Sequence, residues 1–326
     1  MADSETIDEA RVFVGSDRSQ LLAVKVLDFS IRRRTDMKVA VRSMHDVELP
    51  DPKDIRQGKR TGFSFTRFAI PQLSGFTGRA LYLDADMLVL RDLRELYAMP
   101  FNGAKVHVQA PPPETADKPA APKKRVRQSS VMLLDCAALR WDPLDIIAGL
   151  DGRYTYEELM QQLCILAPEE IGEGVPFEWN SLETYIPGRT GLIHYTDMPT
   201  QPWVHVANRN GWLWINEVRD MIDAGVLTRD EIAEEVRLGY FRPSLLEELA
   251  LPRMQAAPEG DVLTRLRAID ADAGYVQHAE VHAQNRRRAE AVAQYKAAQS
   301  VPAAANGLAD LGKRALAALG RRLRPQ

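Results

Sequence analysis

The sequence predicts an α/β protein: a mixed sheet flanked by helices, followed by a C-terminal run of helices. Three observations carry this reading. Short apolar runs (RVFVGS at 11–16, Met37–Val41, Ala80–Leu83 and Val131–Leu134) alternate with stretches of helical spacing. Such alternation is the pattern of a sheet covered by helices. From about Gly211 the chain becomes charged and helical, with few β-branched runs.

Each element follows from its residues. Residues 11–16 read as a buried strand that ends in Gly15-Ser16-Asp17, and 20–34 as a helix. Met37–Val41 gives a second strand, 64–74 a short helix, and Ala80–Leu83 a third strand that runs into Asp84-Ala85-Asp86. The segment APPPETADKPAAPKK (110–124) reads as an exposed loop, because proline lacks the N–H a ladder needs. Val131–Leu134 is another strand, 141–170 is helical, and 172–200 is irregular with short strands. Residues 212–250 and 257–299 are charged helices. The organisation read from this is an α/β body over 1–210, a helical extension over 211–300 and a basic tail over 301–326.

Bulk composition excludes several classes. With 326 residues, 45% hydrophobic and 27% charged, the chain is globular and long enough for one large domain or two ordinary ones. A net charge of -3 argues against nucleic-acid binding by the whole domain. Cys136 and Cys164 show no CxxC spacing, which fits a reducing cytoplasm. The start, MADSETIDEAR, lacks the apolar core of a signal peptide, and no run reaches the roughly 20 apolar residues that span a bilayer. A cytoplasmic location is expected.

The stretch GRALYLDADMLVLRDL (78–93) places two acids inside an apolar run. Ligands of α/β sheets gather beyond the carboxyl ends of strands, where Asp17, Asp84 and Asp86 are expected. Two explanations stand on these residues alone. The carboxylates share a divalent cation, as hard oxygen ligands do. Alternatively Asp84 caps the next element and Asp86 pairs with Arg91 or Arg94. An Asp-nucleophile phosphatase motif needs Gly-Thr or Thr after the pair, and Met87-Leu88-Val89 stands there instead.

The longer segment FSFTRFAIPQLSGFTGRALYLDADMLVLRDLRELY (63–97) resembles glycosyltransferases of the GT-A fold, in particular the glycogenin-like and lipopolysaccharide galactosyl- and glucosyltransferase family (family 8). RVFVGSD (11–17), QSSVMLLD (128–135), PFEWNSL (176–182) and LIHYTDMPTQPW (192–203) resemble further segments of that family, in family order. The resemblance covers about residues 11–205. It implies that Asp84, Asp86 and His194 ligate Mn²⁺ or Mg²⁺ bridging the diphosphate of a nucleotide sugar. It implies donor contacts from Gly15, Ser16, Asp17, Arg67, the backbone at Ala85, Gln128, Ser129 and Gln201. A guanidinium at Arg67, 17 positions before Asp84, suits phosphate or sugar hydroxyls. It implies a retaining transfer of a hexose, from a UDP-sugar, to a glycan, lipid-linked or small-molecule acceptor. Glu157 and Glu158, in YTYEEL (154–159), are the loosest match, standing for an acidic or amide residue at the reacting face.

Three residues depart from the pattern. Gln128 stands for Asn, Ser130 for Gly, and Gln201 for a lysine that holds the diphosphate; Lys59, Arg60 and Arg189 are the candidate replacements. These departures also motivate a catalytically weak or inactive nucleotide-sugar-binding module. A nucleotidyltransferase shares the metal-and-nucleotide logic. Two weaker signals are discounted. GLADLGK (307–313) lacks the Ser or Thr of a phosphate loop, and His278 and His282 in HAEVH read as a solvated helix face. The tail GLADLGKRALAALGRRLRPQ (307–326) aligns leucines opposite Lys and Arg at helical spacing, which fits an anionic membrane surface or an apolar partner.

Overall fold

In the computed structural model, residues 9–111 and 127–300 are described. The acidic N-terminus, most of the Pro-rich 110–124 segment and the basic tail lie outside them. A six-stranded mixed sheet forms the centre, in the order β2-β1-β3-β6-β5-β7. Its strands are β1 (Ala10–Gly15), β2 (Val39–Ser43), β3 (Arg79–Asp84), β5 (Val106–Gln109), β6 (Gln128–Asp135) and β7 (Ile171–Val175). The short strand β4 (Met87–Val89) leaves the main sheet and joins β9 (Leu192–His194) and β8 (Ser181–Leu182) in a second, three-stranded sheet.

β1 and β3 are apolar on both faces because helices cover both. On one face, α1 (Leu21–Arg32) and α3 (Arg94–Tyr97) help cover the sheet: Val24, Leu27 and Ile31 of α1 meet Val12, Leu81 and Leu83. On the other, Phe65, Phe68 and Ile70, from the turn Thr66–Ala69 and α2 (Ile70–Leu73), pack with Tyr82, Met132 and Leu134. Ile146 and Ile147 of α4 (Pro143–Gly149) and Leu159 and Met160 of α5 (Tyr156–Gln162) complete that layer.

The stretch expected to be helical over 141–170 holds two helices, α4 and α5. Asp142 caps α4, which ends at Gly149, and Gly152 takes φ 149°, outside helical space. Thr155 then opens α5 with a capping box.

A third core joins the smaller sheet to the helices beyond it. Leu88 and Ile193 pack with Trp203, Trp214 and Phe241, drawing in α6 (Gly211–Asp223), α7 (Arg229–Arg237) and α8 (Ser244–Glu248). These helices therefore share a core with β4 and β9. α9 (Gly260–Asp272) follows. The chain through Val281 is one compact unit, and α10 (Ala279–Ser300) carries on into a second unit that begins at His282. Among the described residues no helix is long and apolar enough to cross a membrane.

Candidate metal centre and its cavity

The ladder registers bring the acids and the histidine together. Gly15 of β1 lies opposite Asp84 at the end of β3. The chain bends at Ala85-Asp86 and re-enters as β4, where Met87 pairs antiparallel with His194. The Tyr195 N–H donates to the Asp86 carbonyl at 2.8 Å. One ligand atom from each of Asp84, Asp86 and His194 lies within 4.8 Å of the others. Among the described residues this is the group of three or more such side chains placed to share an ion.

Each ligand is held by a distinct partner. Tyr82, two residues upstream on the same strand face, donates from its hydroxyl to Asp84 Oδ1 at 2.6 Å. Arg67 donates to the Tyr82 hydroxyl at 2.9 Å and sits 3.5 Å from the same Asp84 oxygen. Its other terminal nitrogen donates to the Ser129 carbonyl at 2.6 Å, and the guanidinium lies over the Tyr82 ring at 4.3 Å. Gln201 Nε2 donates to Asp86 Oδ2 at 2.8 Å.

His194 faces two ways. Its Nδ1 lies 2.9 Å from Asn180 Oδ1. That oxygen is an acceptor, because Asn180 Nδ2 donates to Gln109 Oε1 and to Ser130 Oγ, each at 3.1 Å. Gln109 Nε2 returns a bond to the Asn180 carbonyl at 3.2 Å, which fixes both amides. Nδ1 therefore carries the proton in the neutral ring, and Nε2 turns its lone pair toward Asp86 Oδ1, 3.1 Å away. Asp86 Oδ1 is buried and has no aligned hydrogen-bond donor. Two lone pairs facing each other at that distance call for a cation between them. The donor set, two carboxylates and one neutral imidazole, fits a divalent ion such as Mn²⁺ or Mg²⁺. The outer partners on Asp86 and His194 are what orient such ligands.

The electrostatics agree. Burial pushes the Asp84 carboxyl above its ordinary value and Asp86 adds to this, while Arg67 opposes it. Burial works against a charged His194, but Asp86 and then Asp84 outweigh it and hold the imidazole above its ordinary value. A site that favours a proton between these groups favours a metal cation at the same place. Burial also keeps the Tyr82 hydroxyl protonated, so it remains a donor to Asp84.

The triad opens into a cavity of about 520 Å³. Asp17, Arg67, Gln128, Ser129 and Gln201 line it with the three ligands. Gly15, Ser16 and Ala85 lie behind the lining. A Cβ on Gly15 would stand 2.1 Å from the Tyr82 hydroxyl, so the glycine makes room for the group that holds Asp84. Ser16 Oγ is bonded to Ser43 Oγ at 2.7 Å, and the Ala85 N–H donates to the Gly15 carbonyl at 3.1 Å. Ser130, where the family pattern has Gly, receives the Asn180 amide and so supports the histidine from behind.

Several expected residues have other partners or lie outside the cavity lining. Glu158 closes the α5 capping box with Thr155, and Glu157 pairs with Arg60 at the surface, 3.1 Å apart. The same helix instead turns Tyr156, Met160 and Gln161 into the cavity. Arg91 and Arg94 pair with Glu95 and Asp36, not with Asp86. Neither Lys59, Arg60 nor Arg189 lines the cavity; Lys59 is bonded to the Leu49 carbonyl and Arg189 to Glu178. Arg127 lines it instead, with Nε on Glu173 at 2.5 Å. His278 sits in the turn before α10, not on a solvated helix face. It takes φ 47°, and Nε2 meets the Met198 carbonyl at 2.9 Å at the cavity edge.

Sequence reasoning gave no role to Tyr82, Gln109, Asn180, Gln161 or Arg127. Strand periodicity could have found Tyr82, since i and i+2 share a face. The others depend on which distant segments meet, and local sequence carries no such signal.

No protein-family profile matches the chain. Protein CDI of Arabidopsis thaliana is 29% identical over 238 residues, covering 64% of this chain and 86% of the relative. Similar solved structures include the galactosyltransferase LgtC with donor and acceptor sugar analogs (TM-score 0.49, 12% identity, 69% of this chain and 99% of that one). GlyE of Streptococcus pneumoniae TIGR4, a glycosyltransferase, gives a TM-score of 0.46 at 14% identity, over 67% of this chain and 64% of its own. The bifunctional glycosyltransferase WbbM gives 0.41 at 13% identity over 65% of this chain, which spans half of WbbM's length.

Proposed function

We propose that this protein is a divalent-metal-dependent glycosyltransferase of GT-A type that takes a hexose from a UDP-sugar and transfers it, with retention, to a glycan or lipid-linked acceptor. The observation that carries this reading is the convergence of Asp84, Asp86 and His194 Nε2 on one point at the wall of an open cavity, with Asp86 Oδ1 buried and lacking a donor. The segments that resemble the family place the same three residues as ligands, and the glycosyltransferase names among the similar structures are consistent with it.

The roles then follow from chemistry. A bound divalent ion supplies Lewis-acid stabilisation of the departing diphosphate. Asp84, Asp86 and His194 hold that ion. Arg67 and Tyr82 fix the Asp84 carboxylate, and Asn180 fixes the imidazole tautomer. Asp17 and Ser129 line the cavity where the donor would lie, and Gln161 supplies the amide that faces it from α5. Glu157 and Glu158 are assigned no part in the chemistry, since one is paired at the surface and the other caps a helix.

The test is UDP-glucose and UDP-galactose hydrolysis by the full chain with and without Mn²⁺. Metal-dependent release of UDP that Asp86→Ala abolishes is the expected result; undiminished turnover in that variant sinks the reading. Tight Mn²⁺-dependent UDP binding with no turnover across acceptors would favour the inactive-module alternative.

A further inference from the structure

Gln201 stands where the family pattern has a cation, and its surroundings show what it does instead. The side chain is 1% exposed. Its Nε2 reaches two acceptors, Asp86 Oδ2 at 2.8 Å and the Tyr195 carbonyl at 3.0 Å. Both are oxygens without a proton to give, so the amide can only present its nitrogen to them. Its Oε1 is then determined as well, and that oxygen is buried without a partner while the residue lines the cavity. A buried acceptor with no donor is costly, so a donor brought by a ligand is favoured there.

The loop that delivers this amide is fixed from three sides. Gln201 follows the turn Met198–Thr200. His278 Nε2 meets the Met198 carbonyl at 2.9 Å, Asn208 Nδ2 donates to the Thr200 carbonyl at 2.8 Å, and the Asp197 N–H donates to Glu183 Oε1 at 2.9 Å. Asp86 Oδ2 is thereby held by a neutral group on a braced loop, which leaves Oδ1 turned to His194 Nε2.

We propose that Gln201 is a positioning residue for the cation site: its N–H orients Asp86 toward the ion that the triad would hold, and its buried Oε1 is left as an acceptor for a donor that a ligand brings. The inference rests on the reading that Asp84, Asp86 and His194 hold a divalent ion. An ammonium at this position would compete with the ion for Asp86. The amide holds the carboxylate without adding a second positive charge to the one Arg67 already brings beside Asp84.

The experiment titrates the full chain with Mn²⁺, following free Mn²⁺ by electron paramagnetic resonance, for the wild type, Gln201→Met and Gln201→Lys. Methionine keeps the volume and removes both polar atoms. The wild type binds one Mn²⁺, and Gln201→Met weakens binding by about 10-fold or more, the range expected for an outer-shell partner. At saturation the Gln201→Met spectrum differs from wild type, because Asp86 is no longer held; a merely structural role would leave the spectrum unchanged. Gln201→Lys also binds more weakly, through charge competition. Thermal unfolding without metal checks that each variant folds; if methionine prevents folding, the lysine variant carries the test. Wild-type affinity and spectrum retained in the folded variants overturn the inference. Absence of Mn²⁺ binding by the wild type instead overturns the reading of the triad as a metal site.

Discussion

Two buried charged clusters in this protein contrast sharply. Arg242 and Glu248 are 1% and 2% exposed and face each other in the helical core. Each nitrogen of Arg242 has a partner: Nε on the Pro202 carbonyl, one terminal nitrogen on Ser244 Oγ, the other on Glu248. Ser244 Oγ in turn donates to Asp270. In the cluster of Asp84, Asp86 and His194, Asp86 Oδ1, Gln201 Oε1 and Arg67 Nε are buried with no hydrogen-bond partner. The first cluster is complete as it stands. The second is complete only with something added. Burial and charge alone do not separate structure from site; the distribution of unmet polar atoms does.

That contrast can be broken by substitution. The largest effect is expected at the site. Asp86→Ala removes a ligand and should lower metal-dependent turnover by more than the roughly 10–100-fold typical of outer-shell changes, with thermal stability nearly unchanged; steady-state kinetics and a melting curve check both. Glu248→Ala should do the reverse. Leaving Arg242 buried and unpaired is expected to cost about 3–5 kcal/mol of stability, read by urea unfolding, while Mn²⁺ affinity of the folded fraction is retained.

A smaller effect is expected from Gly15→Ala. The added methyl meets the Tyr82 hydroxyl, and such overpacking costs about 1–3 kcal/mol. Because Tyr82 holds Asp84, Mn²⁺ affinity should fall together with stability, linking the two readouts in one variant.

The pH dependence sharpens the same point. In the metal-free protein both Asp84 and His194 sit above their ordinary values. The folded state thus binds more protons than the unfolded one, and stability falls as pH rises. For Asp84 that window starts at the ordinary carboxylate value and runs upward; for His194 it starts near pH 6.5. Saturating Mn²⁺ replaces those protons and should flatten or reverse the slope. Urea midpoints at pH 6 and pH 8, with and without Mn²⁺, measure it. The smallest effect is expected from Glu157→Gln. It loses only a surface pair with Arg60, so turnover and stability should both match wild type, and a clear loss of turnover would return Glu157 to the chemistry.

Much of this was legible before any coordinates. The runs at 11–16, 80–83 and 131–134 read as strands of a covered sheet, because short runs apolar on both faces suit a strand buried on both sides, and β1, β3 and β6 form there. The acidic pair at a strand end left a shared cation and a salt bridge both open, and only the resemblance of the flanking segments joined His194 to it as a candidate ligand. The loose match at Glu157 and Glu158 has a local reading of its own: Thr155-x-x-Glu158 is also a helix-capping signal, and Glu158 closes that cap. His278 and His282 looked like neighbours on a helix, but the helix starts only at Ala279.

What the sequence determined by itself was therefore chemistry in fixed order along the chain: strands, the Asp84–Asp86 pair, a histidine more than a hundred residues later. The tertiary structure decided how each ligand is held. Arg67 beside Asp84, Gln201 on Asp86, and Gln109 and Ser130 on the Asn180 that meets His194 are contacts between distant segments. Hydrogen bonds are directional and short-ranged, so partners separated by up to 115 positions can be known only once the backbone has brought them within 3 Å.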